Sequence, residues 1–386
     1  MSYIDLPPIL EKMLGVSDLV SDLNFSVGRP AQVEVNGKLV PVDIGVKTLS
    51  PYHTEVLAMS LIGENVEAVD RLLKTGSTDL SYSLPMRSRF RVNIFRQRGT
   101  LSIVMRVIPP QVPTLGLLNL PAHLGDIAEL KNGLVVVTGP TGAGKSSTLA
   151  AIINKFNQEK PYHVITIEDP IEFLHNHRSA TINQRELGSD TPTFAMALRA
   201  ALRQSPKVIL VGEMRDLETT EIALEAAETG HLVLSSLHTI DASKTIDRII
   251  GLYPKNEENV IRTRLAQTFR YIISQRLIPK ADASGRVAAV EILKSTPRTR
   301  EYIERGEGEG RSLIEAMNDG ELEGMQSFDA VIEKLINDRI VTQEDGLPFA
   351  TNPHNLALRL SGFGKNNPAR TPKTGDLARP RSFDRY

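Results

Sequence analysis

The chain has 386 residues, 41% hydrophobic and 24% charged, and its 45 Lys and Arg against 46 Asp and Glu leave a formal net charge of −1. That length holds two ordinary domains, and the balance is that of a globular protein able to bury a core. Near-neutral charge, 5% aromatics and no Trp argue against nucleic acid as a partner, and the lack of Cys excludes disulfides, cysteine-held zinc and thiol catalysis.

The first residues, Met1-Ser2-Tyr3-Ile4-Asp5-Leu6, have neither the basic start nor the apolar stretch of an export signal. No apolar run reaches the ~20 residues that cross a bilayer, so a cytoplasmic chain without direct membrane insertion is expected. Asn36-Gly37, between apolar segments 31–35 and 38–42, predicts a hairpin. Segments 52–61 and 66–73 read as helices. A second hairpin is predicted for 89–95 and 101–107, turning near Arg98-Gly99. There Phe90, Val92 and Ile94 alternate with Arg89, Arg91 and Asn93, one face apolar and the other basic. With Arg96, Arg98 and Arg106, these guanidinium groups suit phosphate contacts; a solvated basic face or a set of interface ion pairs would use the same residues.

Pro109-Pro110, Pro113 and Gly116 mark an interdomain linker at 109–118. After it, short apolar strands at 134–138, 164–167, 208–211, 232–236 and 287–292 alternate with helices, the pattern of a parallel α/β sheet. Phe194, Ala197, Leu198, Ala201 and Leu202 follow helical spacing, as do Phe328, Val331, Ile332, Leu335 and Ile336. Residues 365–386 carry six basic and two acidic side chains with few aliphatics, and are expected to be a disordered basic tail.

Gly139-Pro140-Thr141-Gly142-Ala143-Gly144-Lys145-Ser146 spells GxxxxGK[ST] between a predicted strand and a predicted helix beginning at Ser147. In that setting backbone N–H groups cradle phosphates at a helix N-terminus, Lys145 reaches the β- and γ-phosphates, and the Ser146 hydroxyl helps hold Mg²⁺. Glu213 follows the apolar strand 208–211, where a carboxylate can activate water or act through Mg²⁺; a helix-capping role is the plainer alternative. Glu168-Asp169-Pro170-Ile171-Glu172 ends the strand before it and is either a second acidic contribution to the site or a surface loop. His231 and His238 bracket the strand 232–236. His238, at its C-terminal end, suits a γ-phosphate contact, whereas His231 lies at the opposite end and could meet a neighbouring subunit.

Taken together, these motifs resemble the type IV pilus retraction ATPases, the PilT/PilU branch of the secretion-ATPase superfamily, over about residues 1–363. The matching residues are the phosphate loop, the acidic box from Thr166 to Phe173, Val211-Gly212-Glu213-Met214-Arg215-Asp216, and the histidine box from Ala227 to Thr239. Val16-Ser17-Asp18-Leu19 and Phe90-Arg91-Val92-Asn93 with Arg106 match the N-terminal domain. The resemblance implies a PAS-like α+β domain over 1–108 and a RecA-like P-loop NTPase domain with C-terminal helices over 119–364. It also implies a hexameric ring, homomeric or mixed with a paralog, working on an inner-membrane platform protein at the inner face of that membrane. Glu213 is then the catalytic glutamate; Glu168, Asp169 and Glu172 support water or Mg²⁺, with Glu213 and Glu172 acting through water. Arg91 and Arg106 close on the ATP phosphates.

Two segments depart from the family pattern. Gln204-Ser205-Pro206-Lys207 stands where an acidic residue usually precedes the strand before Glu213. From Arg298 to Arg305 only Arg300 and Ile303 match the C-terminal AIRNLIRE helix of retraction enzymes. An assembly or secretion ATPase would carry a four-cysteine zinc module, which this chain lacks. A regulatory ATP-binding ring subunit and a RecA-like DNA translocase are the remaining alternatives.

Overall fold

The computed structural model describes residues 5–85, 87–108 and 111–361. Helix α1 (Leu6–Leu14) opens the chain and buries Leu6, Leu10 and Met13. Strands β1 (Val20–Phe25), β2 (Ala31–Val35) and β3 (Lys38–Val42) follow, with Asn36 at φ 51° and Gly37 at φ 75° turning the hairpin. Helices α2 (Pro51–Ile62) and α3 (Val66–Thr75) lead to β4 (Ser77–Leu84), β5 (Ser88–Gln97) and β6 (Thr100–Ile108). These six strands form one sheet in the order β3-β2-β1-β6-β5-β4. The alternation along β5 has the expected consequence: Phe90, Val92 and Ile94 are fully buried against the helices, while Arg91 faces out.

The second sheet contains β7 (Gly133–Thr138), β8 (His163–Glu168), β9 (Thr181–Glu186), β10 (Val208–Val211), β11 (Leu232–Leu237), β12 (Phe269–Pro279) and β13 (Arg286–Lys294). Its order is β13-β12-β7-β11-β10-β8-β9, parallel except for β13, which returns antiparallel to β12. Helices α4 (Lys145–Glu159), α5 (Phe194–Ala201), α6 (Leu217–Glu228), α7 (Ala242–Ile250) and α8 (Glu258–Thr268) make the crossovers. Alternate residues of each buried strand feed opposite cores. Leu134, Val136, Ile209 and Val233 meet α5 to α8, whereas Val135, Val137, Leu210 and Leu234 meet α4 and the 3₁₀ segment Ala122–Glu129. The C-terminal ends of β7, β8, β10 and β11 therefore open on one edge, where a doubly covered parallel sheet binds its ligands.

Five further helices, α9 (Pro297–Arg305), α10 (Leu313–Asp319), α11 (Phe328–Asn337), α12 (Gln343–Gly346) and α13 (Pro353–Leu360), complete the described chain. Ile303 is buried in α9, and Arg298 of the same helix pairs with Asp319 at 2.7 Å. Arg276 lies 3.7 Å over the Phe328 ring and donates to the carbonyls of Phe349 and Ile240, so the last helices are tied to β12 and to the loop after β11.

Strands β1, β4, β9 and β12 go beyond the sequence reading. Of the breaker-rich segment, Pro109 and Pro110 lie outside the described residues, as does 365–386. The remainder is fastened down: Leu115 and Leu118 pack on the core around Val135, and Asn154 Nδ2 donates to the Pro113 carbonyl at 3.1 Å. No described helix is long and apolar enough to cross a membrane.

Candidate nucleotide site

The apolar strand β7 stops at Thr138 because Gly139 takes φ 147° and passes hard against β12. A Cβ on it would sit 2.6 Å from the Gln275 carbonyl oxygen. Gly144, left-handed at φ 88°, then starts α4, which has no side-chain cap. Its first N–H groups are consequently free to bind an anion.

Lys145 is 8% exposed and folds back over this loop, donating to the carbonyls of Gly139 at 2.9 Å and Pro140 at 3.1 Å. Its Nζ lies 3.4 Å from His238 Nδ1. An ammonium has only protons to give, so Nδ1 accepts and the ring proton sits on Nε2, which faces Glu213 Oε2 at 3.6 Å. Burial lowers the pKa of Lys145, against the pull of Glu213 and Glu172. Burial also lowers that of His238, helped by Lys145 and Arg215 and opposed by Glu213, which favours a neutral imidazole. Glu213 is 7% exposed, just past the end of β10, and its carboxylate pairs with Arg215. Gly212 lets this turn run close to β8, with the Ile167 carbonyl 3.2 Å from where a Cβ would stand, and Ser236 Oγ donates to the Gly212 carbonyl at 2.6 Å.

The acidic segment divides by environment. Glu168 accepts from Thr166 Oγ1 at 2.6 Å and Gln184 Nε2 at 3.1 Å, yet burial still pushes its carboxyl pKa up. Asp169 and Glu172 are exposed. All three line one cleft of about 390 Å³ together with Lys145, Ser146, Glu213, Arg215 and His238, and Arg91 of the first sheet reaches it from across. A groove of about 640 Å³ between α5 and α6 is larger but lies away from the phosphate loop, so chemistry rather than size selects the site.

Two candidates stand elsewhere. Arg106 is the cross-strand partner of Arg91, but its Nε pairs with Asp22 at 3.0 Å and it does not line the cleft. His231 precedes β11 at the sheet's other end, its Nδ1 lying 3.2 Å from the Ala226 carbonyl. Of the loop, Thr141, Gly142, Lys145 and Ser146 line the cleft; Gly139, Pro140, Ala143, Gly144 and Ser147 form its backing. Sequence reasoning overlooked Arg215, although it stands two residues after Glu213, and the aromatic lining from Phe173 and Phe194.

The family model described as type II/IV secretion system protein matches residues 62–337. The chain belongs to the type II/IV secretion ATPase family. Within it, the chain is 41% identical over 337 residues to the type IV pilus retraction ATPase PilT of Pseudomonas aeruginosa, covering 87% of this chain and 96% of that one. It is 37% identical to the type IV pilus ATPase PilU of the same organism, over 88% and 87% of the two chains. A crystal structure of the pilus retraction motor PilT with bound ADP superposes with a TM-score of 0.81 at 39% identity, covering 92% of this chain and 99% of that one. The chain thus stands in the PilT/PilU branch, with a PAS-like α+β domain followed by a RecA-like P-loop NTPase domain. As a member of this ATPase family it is a nucleotide-binding enzyme.

Proposed function

We propose that this protein is a motor ATPase that hydrolyses ATP, with Mg²⁺, to power type IV pilus retraction and twitching motility, as the main or an auxiliary motor. The observation that carries this reading is the meeting of Lys145, His238 and the buried Glu213 in one cleft above the phosphate loop. Lys145 exchanges the Gly139 and Pro140 carbonyls for the β- and γ-phosphates, which the α4 N-terminus cradles. Glu213 takes a proton from the attacking water as its oxygen bonds to the γ-phosphorus; the bond to the bridging oxygen breaks and ADP leaves. Neutral His238 donates from Nε2 and registers the change at Glu213 and the γ-phosphate. Arg91 adds a cation from the N-terminal domain, and Arg106 acts beside it once freed from Asp22.

The donor set fits Mg²⁺. Among the described residues no three His, Asp or Glu side chains assemble into a metal cage, and the cleft offers hard oxygens instead. That suits an ion held mainly by phosphate and water. Ser146 would hold it directly, with Glu213 and Glu172 acting through water; when bound, it neutralises charge on the phosphate oxygens.

In this reading residues 1–108 form the PAS-like domain, 109–118 the linker and 119–364 the ATPase domain. Six copies, or a mixture with a paralog, form a ring that works on the inner-membrane platform protein at the inner face of that membrane. The pilus retraction ATPase among its relatives, and the solved retraction motor that it resembles, support the motor reading.

The test is steady-state ATP hydrolysis by the purified full chain with Glu213→Gln as control, followed by pilus-dependent motility of a deletion strain. Turnover abolished by the substitution, and lost twitching, are expected. ATP binding without turnover would replace the motor with a regulatory ring subunit, and α9, which departs from the retraction helix, would be its first suspected contact.

A further inference from the structure

Among the described residues a single side-chain ion pair joins the first sheet to the second, and it lies at the rim of the nucleotide cleft. Arg89 Nη2 on β5 donates to Glu186 Oε2, at the end of β9, at 2.8 Å, and their side chains are 17% and 4% exposed. The same oxygen accepts the Ile171 backbone N–H at 2.9 Å. One carboxylate therefore grips both the N-terminal domain and the loop that carries Glu168, Asp169 and Glu172. Glu186 is itself anchored, its backbone N–H donating to Asp190 Oδ2 at 2.7 Å.

Arg89 and Arg91 stand two residues apart on one strand, on the same face and about 7 Å from each other. Arg91 lines the cleft, whereas neither Arg89 nor Glu186 does. Arg91, Asp169, Pro170 and Glu186 also share a smaller pocket between the two sheets. A buried ion pair contributes little net stability, because desolvation offsets its attraction, but removing one partner strands the other charge. What such a pair provides is geometry: the spacing between β5 and the acidic loop is set by one bifurcated oxygen.

We propose that Arg89 and Glu186 are positioning residues for ATP hydrolysis, a latch that fixes Arg91 and the acidic carboxylates relative to the phosphates. The inference rests on the ATPase reading of the cleft. Phosphoryl transfer depends on placement, and misplacing a cation by an ångström is enough to slow it. The latch acts through Arg91 and the acidic loop, not by touching nucleotide.

The test compares kcat and KM for full-length wild type, Arg89→Ala, Arg89→Lys, Glu186→Gln, Arg91→Ala and the Arg89→Ala/Arg91→Ala double variant, with a fluorescent ATP analogue reporting binding. Glu213→Gln is the control: if it leaves turnover intact, the ATPase reading of the cleft fails, whatever the latch does. With that control satisfied, Arg89→Ala and Glu186→Gln should each lower kcat about tenfold with KM changed less than about twofold. Arg89→Lys should recover most of the loss. In the Arg91→Ala background, Arg89→Ala should add little. An unchanged kcat in Arg89→Ala overturns the proposal, and so do Arg89 and Arg91 losses that simply multiply. If Arg89→Ala does not fold, Glu186→Gln decides by the same criterion.

Discussion

At the scale of single residues, the site works by restricting which proton sits where. The ammonium of Lys145 forces His238 to accept at Nδ1, and that places the ring proton toward Glu213. Lys145→Ala removes the only lysine cation that lines the cleft among the described residues, so ATP binding should be lost in a nucleotide-binding titration while the fold survives. Glu213→Gln keeps the size and one acceptor of the side chain but cannot take a proton; binding should persist while turnover falls roughly 10²-fold or more. Equal turnover in the two proteins would remove Glu213 from the mechanism. These residues were legible because each follows an apolar strand of a parallel sheet, whose C-terminal edge is where ligands gather. Arg215 and Glu186 were not, because their importance lies in partners. In particular, 97 residues separate Glu186 from Arg89, and no local pattern encodes that contact. The arginine cluster illustrates the limit: spacing alone left Arg89, Arg91 and Arg106 equivalent, whereas the fold commits the first to Glu186, the second to the cleft and the third to Asp22.

At the scale of elements, what the sequence announced was either fully buried or sharply turned. The central strands are continuous apolar runs, and Asn36-Gly37 and Arg98-Gly99 supply the positive φ angles of their hairpins. Strands β4 and β9 escaped because only two residues of each are buried and most of their side chains are polar, leaving little periodic signal. Strand β12 escaped for another reason: α8 runs from Thr268 directly into Phe269 without a Gly or Pro between them. This long strand is also the wall behind the phosphate loop, which makes Gly139 the sharpest test of the element. Gly139→Ala would drive a Cβ to within 2.6 Å of the Gln275 carbonyl at a φ that L-residues avoid. The loop and β12 must separate, so ATP binding should fall to background with the circular dichroism spectrum retained. Gly116→Ala, which meets nothing within 4 Å, is the matched control and should bind ATP as the wild type does. Unimpaired binding by Gly139→Ala would show that the loop tolerates a wider approach to β12.

At the scale of the whole molecule, two buried titratable groups act on stability with opposite signs. His175 is buried, its Nδ1 has no hydrogen-bond partner among the described residues, and burial pulls its pKa down to about 4. In the unfolded chain the ring titrates near its ordinary value of about 6.5. Between those two pH values the unfolded state holds the proton that the folded state refuses, so stability falls as the pH falls. Glu291 is the reverse case. It accepts from the Ala242 N–H at 2.9 Å and Ser274 Oγ at 3.2 Å behind the loop that carries His238, and burial raises its pKa to about 7. From the ordinary carboxyl range of about 4.3 up to about 7 the folded state holds the extra proton, so its contribution is full below that window and is lost as the pH rises through it. Each full proton difference tilts stability by about 1.4 kcal/mol per pH unit, and over roughly pH 4.5 to 6.5 the two tilts oppose one another. Glu168, raised in the same direction by burial, adds to the side of Glu291. His175→Gln should therefore shift the dependence of the urea-unfolding midpoint on pH toward greater relative stability in acid. Glu291→Gln should shift it toward greater relative stability near neutrality. The two responses arise in different places, His175 in the lining of the cleft and Glu291 at the N-terminus of α7. If both substitutions tilt the curve the same way, burial does not set these two charges as described; opposite tilts would establish that this protein balances its acid sensitivity across the ATPase sheet.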